Sequence, residues 1–193
     1  MRHAGGKSQP AGRIRIVGGA WRSRFIGVPS RPDLRPTPDR VRETLFNWLM
    51  PVIDGARCLD LFAGSGALCL ESLSRGADEV VMVEKVRAVA DNLAKNIQAL
   101  KADSAKLVNT DAMQFLTGKP EPFDIVFVDP PFSESGLINQ CLSALQLKGW
   151  LKPGALVYVE ASSDYQDLQY PPEWTLLKNK KAGQVGYYLL QTN

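Results

Sequence analysis

The stretch "CLDLFAGSGALCL", Cys58 to Leu70, decides how the rest of the chain is read. An apolar run ends in Asp60, a turn with glycines at 64 and 66 follows, and a second apolar run begins at Ala67. Strand, glycine turn and helix in that order open a βαβ unit. Glycine at these positions lets the backbone approach a ligand, and N–H groups at a helix start favour a carboxylate or phosphate. The next run, "VVMVEK" at 80–85, ends in Glu84, 18 residues after Gly66. A carboxylate there commonly holds the two hydroxyls of an adenosine ribose.

The same alternation continues in both directions. Strands are expected at 57–62, 79–84, 105–109, 124–128 and 155–160, with helices at 66–75, 86–100, 111–117 and 135–147. Strands separated by helices of this length form a parallel sheet with covered faces. The segment "WTLLKNKKAGQVGYYLLQ" (174–191) differs: two apolar runs joined by a Lys/Asn/Gly-rich turn read as an antiparallel hairpin. The expected fold is therefore α/β and Rossmann-like, with a mostly parallel sheet, a C-terminal antiparallel hairpin and a small N-terminal hairpin and helix.

Two cofactor classes share this layout. A dinucleotide fingerprint wants Gly-x-Gly-x-x-Gly, and Cys69 stands at the third position. Asp60 at the mouth of the turn suits a ligand with a cationic centre better than a pyrophosphate. S-adenosylmethionine meets that condition, with Asp60, Phe62, Ala63, Gly64, Gly66 and Glu84 as its candidate contacts. Asp111 and Ala112, after the third strand in "VNTDAMQFL" (108–116), join them. Asp111 either accepts from the adenine amino group or caps the next helix, and both roles are compatible.

The fourth strand ends in "DIVFVDPPFSES", Asp124 to Ser135. In a sheet ordered 3-2-1-4-5, strands 1 and 4 are neighbours at the switch point, where ligands bind outside the carboxyl ends. Asp129, Pro130, Pro131 and Phe132 then face the cofactor loop. An exocyclic amine on a nucleobase is a poor nucleophile, because its lone pair is delocalised into the ring. Asp129 can accept one N–H and the Pro130 carbonyl the other, which aims the lone pair at a methyl group. The prolines fix the carbonyl direction, and Phe132 offers a stacking face. Asp129 also stabilises the charge that develops on nitrogen and can take its proton.

The N-terminal quarter carries different chemistry. Residues 1–42 hold ten Lys or Arg against two Asp, and the remainder holds 13 basic against 18 acidic residues. A basic arm on an acidic body points to a polyanionic partner. "RIRIVGGAWRSRFIGV" (13–28) reads as two strands turning at Gly18-Gly19, with Arg13 and Arg15 on one strand face and Arg22 and Arg24 on another. Thr37 is the expected cap of a helix starting at Pro38, with Val41, Leu45, Trp48 and Leu49 as its apolar stripe and Arg40 on its exposed side. Arg35, Arg40 and Arg42 complete the candidate set for holding the phosphates of that partner. The expected organisation is a basic flexible tail at 1–12, an RNA-binding hairpin and helix at 13–50, and a methyltransferase domain at 51–193.

Composition excludes several alternatives. With one histidine, His3, and three dispersed cysteines, Cys58, Cys69 and Cys141, neither a metal site nor a disulfide framework is expected. No run of about 18 apolar residues suggests a membrane span. "MRHAGGKSQP" lacks the apolar core of a signal peptide, which leaves the cytoplasm as the expected location.

Asp-Pro-Pro-Phe after a strand resembles motif IV of amino-methyltransferases acting on bases, and "DLFAGSG" resembles their motif I. "GGAWRSRFIGV" (18–28), "LRPTPDRVRETLFNWL" (34–49) and "DLFAGSGALCLESLSRGA" (60–77) together resemble the RsmD family. The likeness spans about residues 13–190. It implies methyl transfer from S-adenosylmethionine to the exocyclic N2 of one guanine in 16S ribosomal RNA. The expected partner is that RNA within an assembling small subunit, and the expected state of the chain is a monomer. The resemblance also implies cofactor contacts at Asp60, Gly64, Gly66, Glu84 and Asp111, and catalysis at Asp129 to Phe132. A DNA or RNA adenine-N6 methyltransferase shares the tetrapeptide, but the short loops leave no space for a large target-recognition insertion. A catalytically inactive RNA-binding assembly factor conflicts with the intact Asp129 and glycine loop, and a dinucleotide oxidoreductase conflicts with Cys69.

Overall fold

Strands alternate with helices from Arg57 onward, as the apolar runs require. The structure is a computed structural model that describes residues 12–29 and 37–193. Arg35 and the tail at 1–12, Gly12 excepted, lie outside the described residues. An antiparallel pair, β1 (Gly12–Arg15) and β2 (Phe25–Val28), precedes α1 (Asp39–Leu49). There follow β3 (Arg57–Asp60), α2 (Ala67–Ser74), β4 (Glu79–Val83), α3 (Arg87–Leu100) and β5 (Ala105–Val108). The chain then forms α4 (Ala112–Phe115), β6 (Phe123–Val128), α5 (Leu137–Leu147), β7 (Leu151–Ser162), β8 (Thr175–Ala182) and β9 (Val185–Gln191).

The seven-stranded sheet runs β5-β4-β3-β6-β7-β9-β8. The five parallel strands thus take the expected 3-2-1-4-5 order, and β9 and β8 add antiparallel to β7. Four residues in a row, Ile125 to Val128, are fully buried, because both sheet faces are covered. On one face Cys58, Met82, Phe127 and Tyr158 pack with residues of β1, β2, α1, α2 and α3. On the other, Leu59, Val126 and Val157 pack with α4 and α5.

Helix α2 is apolar nearly all round, since it lies between the sheet and the N-terminal segment. Its one buried acid, Glu71, organises that contact. Glu71 accepts from the Val17 amide (2.8 Å) and from Arg75 Nε (2.8 Å), and lies 3.5 Å from Arg42 Nη1. Arg42 is fully buried and donates to the carbonyls of Arg15 (2.9 Å) and Thr37 (3.3 Å) and to the Asp39 carboxylate. Its placement among RNA-binding residues is therefore corrected: Arg42 fastens α1 to β1 and α2 and reaches no solvent.

Three local expectations also change. The second strand begins only at Phe25, so Arg22 lies in a turn and Arg24 just outside the strand, and period-2 geometry does not pair them. The cause is α2: Ser74 takes the Ala20 amide on its carbonyl (2.6 Å) and the Trp21 amide on its hydroxyl (2.9 Å), drawing residues 18–23 out of the ladder. Pro38, with φ −57° and ψ 147°, is the cap of α1 rather than its first residue, and no side chain caps the helix. Thr37 is used elsewhere. Finally, Lys178 to Lys181 belong to β8, and the turn narrows to Gly183-Gln184.

Glu71→Ala leaves Arg42 buried with only Asp39 to balance it, and should cost about 3–5 kcal/mol. Urea unfolding measures this; a loss below about 1 kcal/mol would show that the buried cluster is not what holds the N-terminal segment.

Candidate active site

Parallel strands place their carboxyl ends on one edge, and side-chain alternation decides which face each terminal residue occupies. Asp60 pairs with Phe127, and Val128 pairs with Val159. Asp129 and Glu160 therefore follow on adjacent strands, and with Asp60 they project to the face covered by the N-terminal segment. Above them lies a cavity of about 730 Å³, lined by residues from all four central strand ends.

Most predicted residues meet there. Asp60, Phe62, Ala63, Gly64 and Glu84 line one side, with Asp111 and Ala112 at its end. Asp129, Pro130, Pro131 and Phe132 line the other, and Phe132 is 38% exposed, leaving a ring face free. Gly66 does not line it. Its φ of +78° needs glycine, and a Cβ there would stand 2.6 Å from Leu93 Cδ2, so its task is to let α3 pack close.

The turn's N–H groups, expected to be free for an anion, are largely used by the fold. Gly64 N donates to Glu84 Oε2 (3.0 Å), Gly66 N to the Ala63 carbonyl (2.7 Å) and Ala67 N to Ser65 Oγ (3.3 Å). Glu84 also receives the Val86 amide on Oε1 (2.7 Å), which fixes its carboxylate with lone pairs still turned to the cavity. Asp111 caps α4 through Oδ1, accepting from Met113 N (2.8 Å) and Gln114 N (3.3 Å), and its other oxygen is uncommitted.

Among the cavity residues that the sequence does not announce, two polar ones lie with Asp129. Glu160 is 5% exposed and accepts from the Tyr158 hydroxyl at 2.9 Å. Thr37, just before α1, lines the cavity with Asp129 and Glu160, and its hydroxyl opposes part of the rise that burial imposes on both carboxyls. The signal for Glu160 was legible, since an acid closes the apolar run "ALVYVE" (155–160) as Asp129 closes "DIVFV". A Thr just before Pro38 reads as a helix cap, which Thr37 does not make.

The electrostatics are one-sided. Among the described residues no ion pair involves Asp60, Glu84, Asp129 or Glu160, while Lys85 at the rim is bound to Glu134 (2.6 Å). Burial, then the charges of Glu84 and Glu160, pushes Asp60 up to about 7, against the opposing Phe62 N–H. Asp129 is raised well above its ordinary value, by burial first and then by Glu160 and Asp60. Burial raises Glu160 to about 7 despite the Tyr158 and Thr37 hydroxyls. A cationic ligand would relieve all three.

The candidate RNA-binding arginines are only partly gathered. Arg13 and Arg15 are exposed on β1 and line a shallow groove that joins the main cavity at Thr37 and Pro38. Phe25, 60% exposed, lies in the same groove opposite Arg15. Arg15 approaches Asp39 (3.7 Å) and Arg24 donates to the Ala99 carbonyl (2.8 Å). Arg22 and Arg40 are exposed.

Residues 14–191 match the family model described as conserved hypothetical protein 95. The chain belongs to that family. This bears out the resemblance to the RsmD family. The ribosomal RNA small subunit methyltransferase D of Escherichia coli is 53% identical, over 94% of this chain and 91% of that protein. Its Haemophilus influenzae counterpart is 49% identical, over 93% and 94%. A solved structure described as putative methyltransferase yhhF from Escherichia coli superposes with a TM-score of 0.88 at 50% identity, covering 94% of this chain and 99% of that one. The fold is that of the S-adenosylmethionine-dependent methyltransferases, and the site fits that cofactor: the cavity has small-molecule size, its acids lack a cation, and Glu84 stands where a ribose is held.

Asp60→Asn should flatten the loss of ligand-free stability with rising pH. The Asp60 carboxyl is raised on folding, so its contribution is complete below about pH 4 and lost as pH rises through about 7. Thermal unfolding at pH 5 and pH 8 should show the variant gaining on the parent protein at the higher pH. Equal differences at both would contradict the burial of that charge.

Proposed function

We propose that this chain transfers a methyl group from S-adenosylmethionine to the exocyclic N2 of a guanine in small-subunit ribosomal RNA. The observation that carries the reading is the shared crevice: Asp129-Pro130-Pro131-Phe132 and the Asp60–Gly64 turn line one cavity. The choice of RNA follows the names of the close relatives, and the choice of guanine N2 follows the family resemblance. S-adenosylmethionine, when bound, supplies an electrophilic methyl on a cationic sulfur.

The chain's own residues do the rest. Glu84 holds the ribose hydroxyls, the free oxygen of Asp111 takes the adenine amino group, and Asp60 faces the cationic portion. Asp129 accepts a hydrogen bond from one N2–H and the Pro130 carbonyl from the other, which leaves the amine lone pair aimed across the crevice. Phe132 stacks on the target base. As nitrogen gains positive charge, the Asp129 carboxylate stabilises it and then accepts its proton.

Arg13 and Arg15 run from the cavity mouth along β1 and hold phosphates, while Phe25 offers a flanking base a stacking surface. Such a base must be turned out of its stack to enter the cavity. We place the enzyme in the cytoplasm, acting as a monomer on an assembling small subunit. No described helix is long and apolar enough to cross a membrane.

Asp129→Ala should abolish methyl transfer while S-adenosylmethionine still binds by calorimetry; turnover above about a tenth of the parent rate would refute the assignment. Digestion of ribosomal RNA from cells lacking the protein should show one methylated guanosine missing by mass spectrometry. Reversing charge at Arg13 and Arg15 should weaken RNA binding and reduce the salt slope by roughly one per lost phosphate contact. An unaltered slope would place the RNA elsewhere.

A further inference from the structure

Glu160 has no task in the transfer described above, yet it lines the same cavity on the strand beside Asp129. Its polar neighbours are the Tyr158 hydroxyl, the Thr37 hydroxyl and the Asp129 carboxyl, and no cation of the described chain pairs with it. A buried carboxyl left without a charge partner is costly unless a ligand brings hydrogen-bond donors. It stands one residue beyond the Val128–Val159 partnership, beside Asp129 on the neighbouring strand and on the same face. Strand spacing sets the two positions about 4.8 Å apart. Thr37 and Pro38 line the same cavity as the two carboxyls, so the N-terminal segment walls the pair.

Two neighbouring acceptors select a ligand edge with two neighbouring donors. The Watson–Crick edge of guanine presents N1–H directly beside the N2 amine. Adenine presents its amine beside a bare N1 lone pair, which a carboxylate repels. Burial enlarges the difference, because an unmet acceptor in a dry pocket is not rescued by water.

We propose that Glu160 accepts the N1–H of the guanine whose N2 is held by Asp129, and so makes the site choose guanine over adenine. This rests on the guanine-N2 reading above. Glu160 takes no proton in the transfer: N1 keeps its hydrogen, and the proton released from N2 goes to Asp129. The Tyr158 hydroxyl donates to Glu160 Oε2, and the carboxylate, whose oxygens can each accept twice, keeps lone pairs for the base beside the Thr37 hydroxyl.

The decisive probe is 2-aminopurine, which keeps the amine on C2 but carries a lone pair at N1. Methyl transfer at pH 8 is measured on two RNA substrates, with guanine or 2-aminopurine at the target position. The parent enzyme should prefer guanine by roughly tenfold to a hundredfold. Glu160→Gln keeps the acceptor for Tyr158 and supplies an amide N–H toward N1. It should slow transfer to guanine, quicken transfer to 2-aminopurine, and cut the preference at least tenfold. An unchanged ratio in Glu160→Gln overturns the inference, even if both rates fall, because a purely structural defect lowers them together. A parent enzyme that leaves guanine N2 unmethylated overturns the proposed function itself, and this inference with it.

Discussion

The pairing of β3 with β6 is the constraint on which the remaining structure depends. These strands are separated in sequence by two complete strand–helix units, yet they lie side by side, with Cys58 against Ile125 and Asp60 against Phe127. The chain first winds outward through β4 and β5, then returns to the other side of β3. Loops leaving the carboxyl ends of β3 and β6 must therefore diverge, and a crevice opens between them. Asp124 secures the opposite end of the same pairing, accepting the Arg57 amide at 2.9 Å and Lys152 Nζ at 2.7 Å.

The two ends of the sheet treat acids in opposite ways. Burial opposes ionisation of Asp124, but Lys152 and the Arg57 amide and charge outweigh it and hold the carboxyl below its ordinary value. Glu79 is likewise lowered, by its hydrogen bond to Lys106 above all, against burial and with help from Arg57. At the carboxyl end, Asp60, Asp129 and Glu160 have no such partners and are all raised. Paired acids contribute to stability. Unpaired ones store a need for positive charge and for donors, and a cationic cofactor with a donor-rich base answers both.

The N-terminal segment joins the two functions. Its β-pair and α1 share one core cluster with the sheet, and the Glu71–Arg42 contact fixes their position against α2. That fixed position is why Thr37 can stand over Asp129 and Glu160, and why Arg13 and Arg15 lie at the cavity mouth. The segment is thus a wall of the site as well as a basic surface. Asn92 and Asn96 of α3 add to the hold by donating to the Gly27 carbonyl at 2.7 and 2.8 Å, while Asn96 Oδ1 receives the Gly27 amide.

The sequence by itself determined the strand and helix order, the switch point and the meeting of Asp60, Glu84 and Asp129, because periodicity and glycine turns act over a few residues. Only the tertiary structure decided what distant elements did to individual side chains. Arg42 stood with Arg40 in the candidate phosphate-binding set, yet a buried Glu71 claimed it. Ser74 of α2 bent residues 18–23 out of their strand pattern, and Leu93 of α3 packs where a Cβ on Gly66 would stand. Thr37 gave up the helix cap for two carboxyls more than 90 residues away in the chain. Burial and long-range partners set charge state and exposure, and neither is written in any local run of residues.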